Sequence, residues 1–315
     1  MKIAFLFPGQ GAQSVGMGKD IYDEYEVVRN VYGKVQELTG VDIAKISFEG
    51  PEEVLNETRY TQLAILTNSL AILEILKENN IKADVTAGLS LGEYSALINS
   101  GILSFDEGVK LVKKRGEYMQ NLLPSGDWQM AAIMGMNEEQ VEEVCQKVTS
   151  GFVVPANYNC EGQIAISGEK EAVLEVEQIA KEMGAKKVMV LKTAGPFHTE
   201  KLIDASNALR NELENLDIHI GEIKVIKNID GEEYKENDDV ADILARHITN
   251  PVRFSKTLKN MLNDGVDTFI EVGPGKTLSG FVKRTPVDKE IKILNINNVS
   301  NLNEVIKYIK EERNV

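Results

Sequence analysis

Apolar and polar positions divide the chain into short strands and amphipathic helices. Met1-Lys-Ile-Ala-Phe-Leu-Phe7 is an apolar run cut off at Pro8-Gly9, which predicts a first buried strand and is too short for a signal-peptide core. A Gly-rich turn follows, Pro8-Gly-Gln-Gly-Ala-Gln-Ser14. Between 60 and 79, Leu63, Leu66, Leu70, Leu73 and Leu76 recur at steps of three and four, the signature of one helical face. Asp84–Gly88 reads as a short strand entering a second tight turn, and a helix from about Leu91 to Asn99 should stop at Gly101. Strands alternating with helices imply parallel pairing and an α/β core.

The pattern changes between about Gln129 and Lys192. It reads strand (130–134), helix (138–148), strand (152–156), strand (163–167), helix (172–183), strand (187–191), which is the order of a split βαββαβ, ferredoxin-like unit. Leu122-Leu-Pro-Ser-Gly-Asp127 is a plausible linker into it. The first pattern then resumes, with a helix near 199–215, a strand near 223–227, and Thr268-Phe-Ile-Glu-Val272 entering the Gly273-Pro-Gly275 turn. The expected fold is therefore α/β. A large domain with a mainly parallel sheet (1–125 and 195–315) carries an inserted ferredoxin-like βαββαβ subdomain (126–194).

Composition narrows the function classes. In 315 residues, 35 Lys and Arg stand against 49 Asp and Glu, a net charge of −14, which argues against a nucleic-acid partner. No apolar run reaches membrane-spanning length, so no membrane association is expected. The two cysteines, Cys145 and Cys160, form neither a disulfide framework nor a zinc site and suit a reducing, cytoplasmic compartment. Neither a metal nor a cofactor is expected.

The strongest chemical signal is Gly88-Leu-Ser-Leu-Gly92, a G-x-S-x-G between a strand and a helix. Side chains at either glycine would collide in so sharp a turn, and the helix start beneath Ser90 offers backbone N–H groups to an oxyanion. A serine nucleophile needs a base, and only His198, His219 and His247 exist. His219, in Leu216-Asp-Ile-His-Ile220, reads as solvent-facing or locally satisfied; His247, in Ala245-Arg-His-Ile-Thr-Asn-Pro251, lies near a helix end. His198, in Thr193-Ala-Gly-Pro-Phe-His-Thr199, falls on a loop joining the two units, where active-site residues concentrate, and is the best placed. Arg115, in Lys113-Lys-Arg-Gly-Glu-Tyr-Met119, belongs either to a solvated basic face or to a carboxylate clamp. Two nucleotide patterns fail. Gly273-Pro-Gly-Lys-Thr277 lacks the P-loop's first glycine because position 270 is Ile270, and Gly9-x-Gly11 lacks the third dinucleotide glycine at Ser14.

Pro8-Gly-Gln-Gly-Ala-Gln13, Gly88-Leu-Ser-Leu-Gly-Glu-Tyr-Ser-Ala-Leu97, Arg115-Gly-Glu-Tyr-Met119, Ala156-Asn-Tyr-Asn159, Gly162-Gln-Ile164, Phe197-His198 and Glu271-Val-Gly-Pro-Gly275 occur in one order. Together they resemble the malonyl-CoA:acyl-carrier-protein transacylases of bacterial fatty acid synthesis, over residues 3 to about 284. The resemblance implies malonyl transfer from coenzyme A to an acyl carrier protein by a ping-pong route. It implies Ser90 as nucleophile, His198 as general base and then acid, and an oxyanion hole from the backbone N–H groups of Gln10 and Leu91. It also implies Arg115 as the partner of the malonyl carboxylate, and Met119 and Phe197 as pocket residues. His247 would orient His198 through its main-chain carbonyl. A monomer is expected. The pattern departs at Leu89, where many members carry His, which leaves a role for that position open. Because the carriers are acidic, a basic docking face drawn from Lys186, Lys187, Lys192, Lys276, Lys283 and Arg284 is expected. The competing readings are a serine hydrolase or thioesterase using the same pair, and a non-catalytic carrier-binding protein.

Overall fold

The computed structural model describes residues 1–192, 195–216 and 218–313. Its strands, in chain order, are β1 (Ile3–Phe7), β2 (Val85–Gly88), β3 (Trp128–Met134), β4 (Val153–Cys160), β5 (Gln163–Glu169), β6 (Lys187–Val190), β7 (Lys224–Val225), β8 (Thr268–Val272) and β9 (Lys292–Ile296). They form two sheets. One is five-stranded and parallel, in the order β7-β2-β1-β8-β9. Every residue of β1, β2 and β8 is buried, as expected of parallel strands covered by helices on both faces. Their carboxyl ends lie side by side, so the turns after Phe7, Gly88 and Val272 converge on one edge, the usual ligand side of an open α/β sheet.

The second sheet is antiparallel, in the order β4-β5-β3-β6, the strand order expected of the ferredoxin-like unit. Strand alternation gives it two faces. Ala131, Ile133, Ile164, Ile166 and Tyr158 pack with Val141, Val144, Val173 and Val176 of its two helices. The alternate positions, including Met130, Ala132, Asn157, Asn159 and Ala165, face a cleft between the sheets. Backbone hydrogen bonds between Tyr158 and Val252 (2.8 Å) and between Val252 and Ala156 (2.9 Å) join β4 to the large lobe. Thr193 and Ala194, where the sequence places the end of the small unit, lie outside the described residues.

The long helix Thr58–Glu78 is buried almost all round and packs against the helix Phe105–Asn121. The latter starts at a capping box, with Ser104 and Glu107 each satisfying the other's backbone N–H. Its buried stripe contains Gly108, Val112, Arg115 and Met119, so Arg115 shares the core-facing register and leaves the solvated face to Lys113 and Lys114. Among the described residues no helix is long and apolar enough to cross a membrane, and no group of three or more His, Cys, Asp and Glu is placed to hold a metal ion. Cys145 is half-buried and Cys160 buried, both unpaired, as the sequence leads one to expect.

Candidate active site

Strand β2 ends in the expected sharp turn, with Ser90 at φ 53° and the helix Gly92–Ser100 starting immediately beyond it. A Cβ on Gly88 would sit 1.9 Å from the Gly92 carbonyl carbon, and a Cβ on Gly92 would sit 2.1 Å from the Phe7 carbonyl oxygen. Neither position tolerates a side chain while the turn keeps its shape, which is the physical content of the G-x-S-x-G spacing. Among the described residues only Asn80, Ser90 and His198 are non-glycine residues with positive φ, and two of these three are the nucleophile and base expected from the sequence.

Ser90 Oγ lies 2.8 Å from His198 Nε2. On the far side of the ring, His198 Nδ1 is 3.0 Å from the His247 main-chain oxygen and 3.2 Å from that of Asn250. Two carbonyls can only accept, so they hold the proton on Nδ1 and leave Nε2 free to receive the serine proton. The His247 ring stacks against the His198 ring, with centroids 5.0 Å apart. Burial, then the neighbouring His247, then Arg115 push the His198 pKa well below its ordinary value, outweighing the two carbonyl bonds. The imidazole is therefore neutral, and a base, near neutral pH.

Arg115 completes the group. It is buried at 1% exposure, donates from Nη1 to Gln62 Oε1 (2.7 Å) and from Nη2 to Ser90 Oγ (3.1 Å), and lies over the Tyr94 ring. Among the described residues no carboxylate pairs with it, and its Nε has no acceptor. A buried guanidinium without a directly paired carboxylate is costly, and burial lowers its pKa against the opposing pull of Tyr94 and Glu93. That is the electrostatic profile of a site awaiting an anionic ligand.

The three side chains line a cleft of about 820 Å³ between the sheets. Gln10, Leu91, Met119 and Phe197 line the same cleft, so it brings together seven of the eight expected site residues. The eighth, His247, lies behind His198 and reaches it through the main chain. The Gln10 and Leu91 N–H groups have no acceptor among the described residues. Met119 Sδ accepts from Gln62 Nε2 at 3.4 Å. Leu89 also lines the cleft, its side chain half-buried against the core behind the parallel sheet. His219 is exposed. The rejected P-loop ends differently again. Glu271, buried, accepts from Leu278 N–H (3.0 Å) and from Ser279 N–H and Oγ (2.7 Å each), so the helix Thr277–Arg284 starts on this chain's own carboxylate.

Sequence reasoning overlooked Gln62, Asn228 and Asn250, and noted Glu93 only as part of a motif. A signal existed for Gln62, because a polar residue four positions before Leu66, on the leucine-bearing side of the helix, must find a partner. Asn228 and Asn250 lie in loops without periodicity and carried none.

The family model for the acyl transferase domain matches residues 4–314. A malonyl CoA-acyl carrier protein transacylase of Bacillus subtilis is 42% identical over 313 residues, covering 99% of this chain and 98% of the relative. Another, from Haemophilus influenzae, is 38% identical and covers 98% and 99%. The crystal structure of the transacylase of that name from Clostridium perfringens superimposes with a TM-score of 0.93 at 42% identity, over 99% of this chain and 98% of that one. A malonyl-transacylase in complex with a type II PKS acyl-carrier protein matches with a TM-score of 0.93 at 32% identity, over 98% and 100%. By fold and by sequence along almost its whole length, this chain is an acyltransferase of the malonyl CoA-acyl carrier protein transacylase family.

Proposed function

We propose that the protein moves a malonyl group from malonyl-CoA to the phosphopantetheine thiol of an acyl carrier protein, through an ester on Ser90, to supply extender units for fatty acid synthesis in the cytoplasm. Residues 1–125 and 195–315 would form the acyltransferase unit and 126–194 the small subdomain. The observation that carries this reading is Arg115, buried without a carboxylate partner and 3.1 Å from Ser90 Oγ. A malonyl group bears a carboxylate one methylene from its thioester carbonyl, so pairing that carboxylate with the guanidinium brings the carbonyl to the serine.

In the first half-reaction Ser90 Oγ attacks the thioester carbonyl as its proton passes to His198 Nε2. The Gln10 and Leu91 N–H groups would receive the oxyanion; losing one such donor raises the barrier by roughly 2.7–4 kcal/mol. Collapse of the tetrahedral species breaks the carbon–sulfur bond, and the departing thiolate takes the proton from His198. The second half-reaction reverses these steps with the carrier's thiol. No cofactor takes part.

The test is incubation with malonyl-, methylmalonyl- and acetyl-CoA, with and without carrier protein, followed by intact-mass measurement of both proteins. A malonyl adduct on Ser90 that transfers to the carrier is expected. Release of free malonate with an unloaded carrier would instead identify a hydrolase.

The carrier's approach is expected on the basic positions flagged in the sequence. Lys186, Lys187, Lys192, Lys276, Lys283 and Arg284 are all exposed, and Lys192 lines the cleft. Reversing charges at Lys186, Lys187 and Lys283 together should raise the carrier KM roughly tenfold at low salt and leave Ser90 acylation by malonyl-CoA unchanged. An unaltered carrier KM would remove this face from consideration.

A further inference from the structure

Asn228 follows the short edge strand β7 and is fully buried. Its side chain reaches the serine turn on both flanks: Oδ1 accepts from Ser90 N–H at 2.7 Å, and Nδ2 donates to the Gly88 carbonyl at 2.7 Å. A carboxamide suits this bridge because it accepts on one arm and donates from the other without carrying charge. Its own backbone is held in turn. The Asn228 N–H donates to Glu93 Oε1 at 3.3 Å, and its carbonyl accepts from Arg253 N–H at 2.7 Å. Glu93, also buried, accepts from the Tyr234 hydroxyl at 2.7 Å and lies 3.1 Å from His247 Nδ1. Buried contacts therefore run from the serine turn, through Asn228 and Glu93, to the residue whose carbonyl orients His198.

We propose that Asn228 is a positioning residue for acyl transfer, bridging Gly88 and Ser90 so that the serine keeps its left-handed backbone and presents Oγ to His198. This rests on Ser90 being the acylated nucleophile. The same bridge has a second consequence. The Ser90 N–H is spent on Asn228 and is not available to an oxyanion, for which the N–H groups of Leu91 and Gln10 are the expected donors.

The experiment is rapid-quench measurement of Ser90 acylation by malonyl-CoA, on the full-length protein and its variants, with thermal melts alongside. Asn228→Ala removes both bonds and should slow acylation on the order of 10²-fold, the scale of a small misplacement of reacting atoms. Its KM for malonyl-CoA should stay near that of the parent, because Arg115 and Gln62 are untouched. Asn228→Asp is the sharper variant. Ionised, it accepts from Ser90 N–H but has no donor for the Gly88 carbonyl; protonated, it does both. Its acylation rate relative to the parent should therefore rise as pH falls from about 8 to about 5.5. Glu93, Tyr234, His198 and His247 face this region in both proteins, so the ratio of variant to parent isolates what the substitution itself changes. A residue that merely supported the fold would lower the melting temperature and leave that ratio flat. A flat ratio overturns the proposal, as does Asn228→Ala acylating at the parent's rate. Failure of the parent itself to acquire an adduct would instead remove the role of Ser90.

Discussion

Replacing His198 with Ala should slow acylation of Ser90 on the order of 10⁴-fold while leaving the KM for malonyl-CoA nearly unchanged. The imidazole is the one base within hydrogen-bond reach of Oγ among the described residues, and Arg115, the expected substrate anchor, does not depend on it. The pH dependence carries a sign that tests the electrostatics. His198 acts when neutral, and burial, His247 and Arg115 all depress its pKa, so the acid limb of kcat/KM should lie well below the ordinary imidazole value of 6.5. Binding of a malonyl carboxylate would partly neutralise Arg115 and lift one of those depressing influences. The acid limb of kcat, which reports the bound complex, should then lie at higher pH than that of kcat/KM. Coincident limbs in a stopped-flow pH series would mean that the substrate carboxylate does not reach the guanidinium.

Replacing Arg115 with Ala should raise the kcat/KM barrier for malonyl-CoA by about 3–4 kcal/mol, on the order of 10²–10³-fold, and leave acetyl transfer equal or faster. The asymmetry follows from burial. In the parent protein an acetyl group leaves the buried guanidinium unpaired, and the variant no longer carries that charge. Arg115→Lys should not restore malonyl transfer. An ammonium has neither the planar fork nor the reach to hold Gln62 Oε1 and Ser90 Oγ together with a carboxylate. Competition between malonyl- and acetyl-CoA, read by intact mass, measures the discrimination directly; a preserved malonyl preference in Arg115→Ala would refute the assignment.

Much of the fold was legible locally because buried strands and amphipathic helices leave periodic traces. The run Ile3–Phe7, the leucine steps after Thr58 and the strand–helix order from Trp128 to Val190 all appear close to their expected bounds. The serine turn was legible because only glycine fits on either side of it. Arg115 was harder, since its neighbours Lys113 and Lys114 suggest a solvated face. The register resolves it, because Val112, Arg115 and Met119 share one stripe and the two lysines do not. Asn228 and Asn250 left no trace, because a loop residue's partners are set by where the chain returns and not by its neighbours in sequence.

Read alone, the amino-acid order determined which residue types stand at strand ends and helix starts, and hence which hydroxyl, imidazole and guanidinium were available. Those are short-range matters, governed by backbone sterics and by the periods of strand and helix. The tertiary structure decided the rest. It placed residues 90, 115 and 198 in one cleft, aimed two backbone carbonyls at a single ring nitrogen, and tied the serine turn to Asn228, 138 positions away. Distance and burial set hydrogen-bond strength and pKa, and both arise only when segments remote in the chain are packed together and water is excluded.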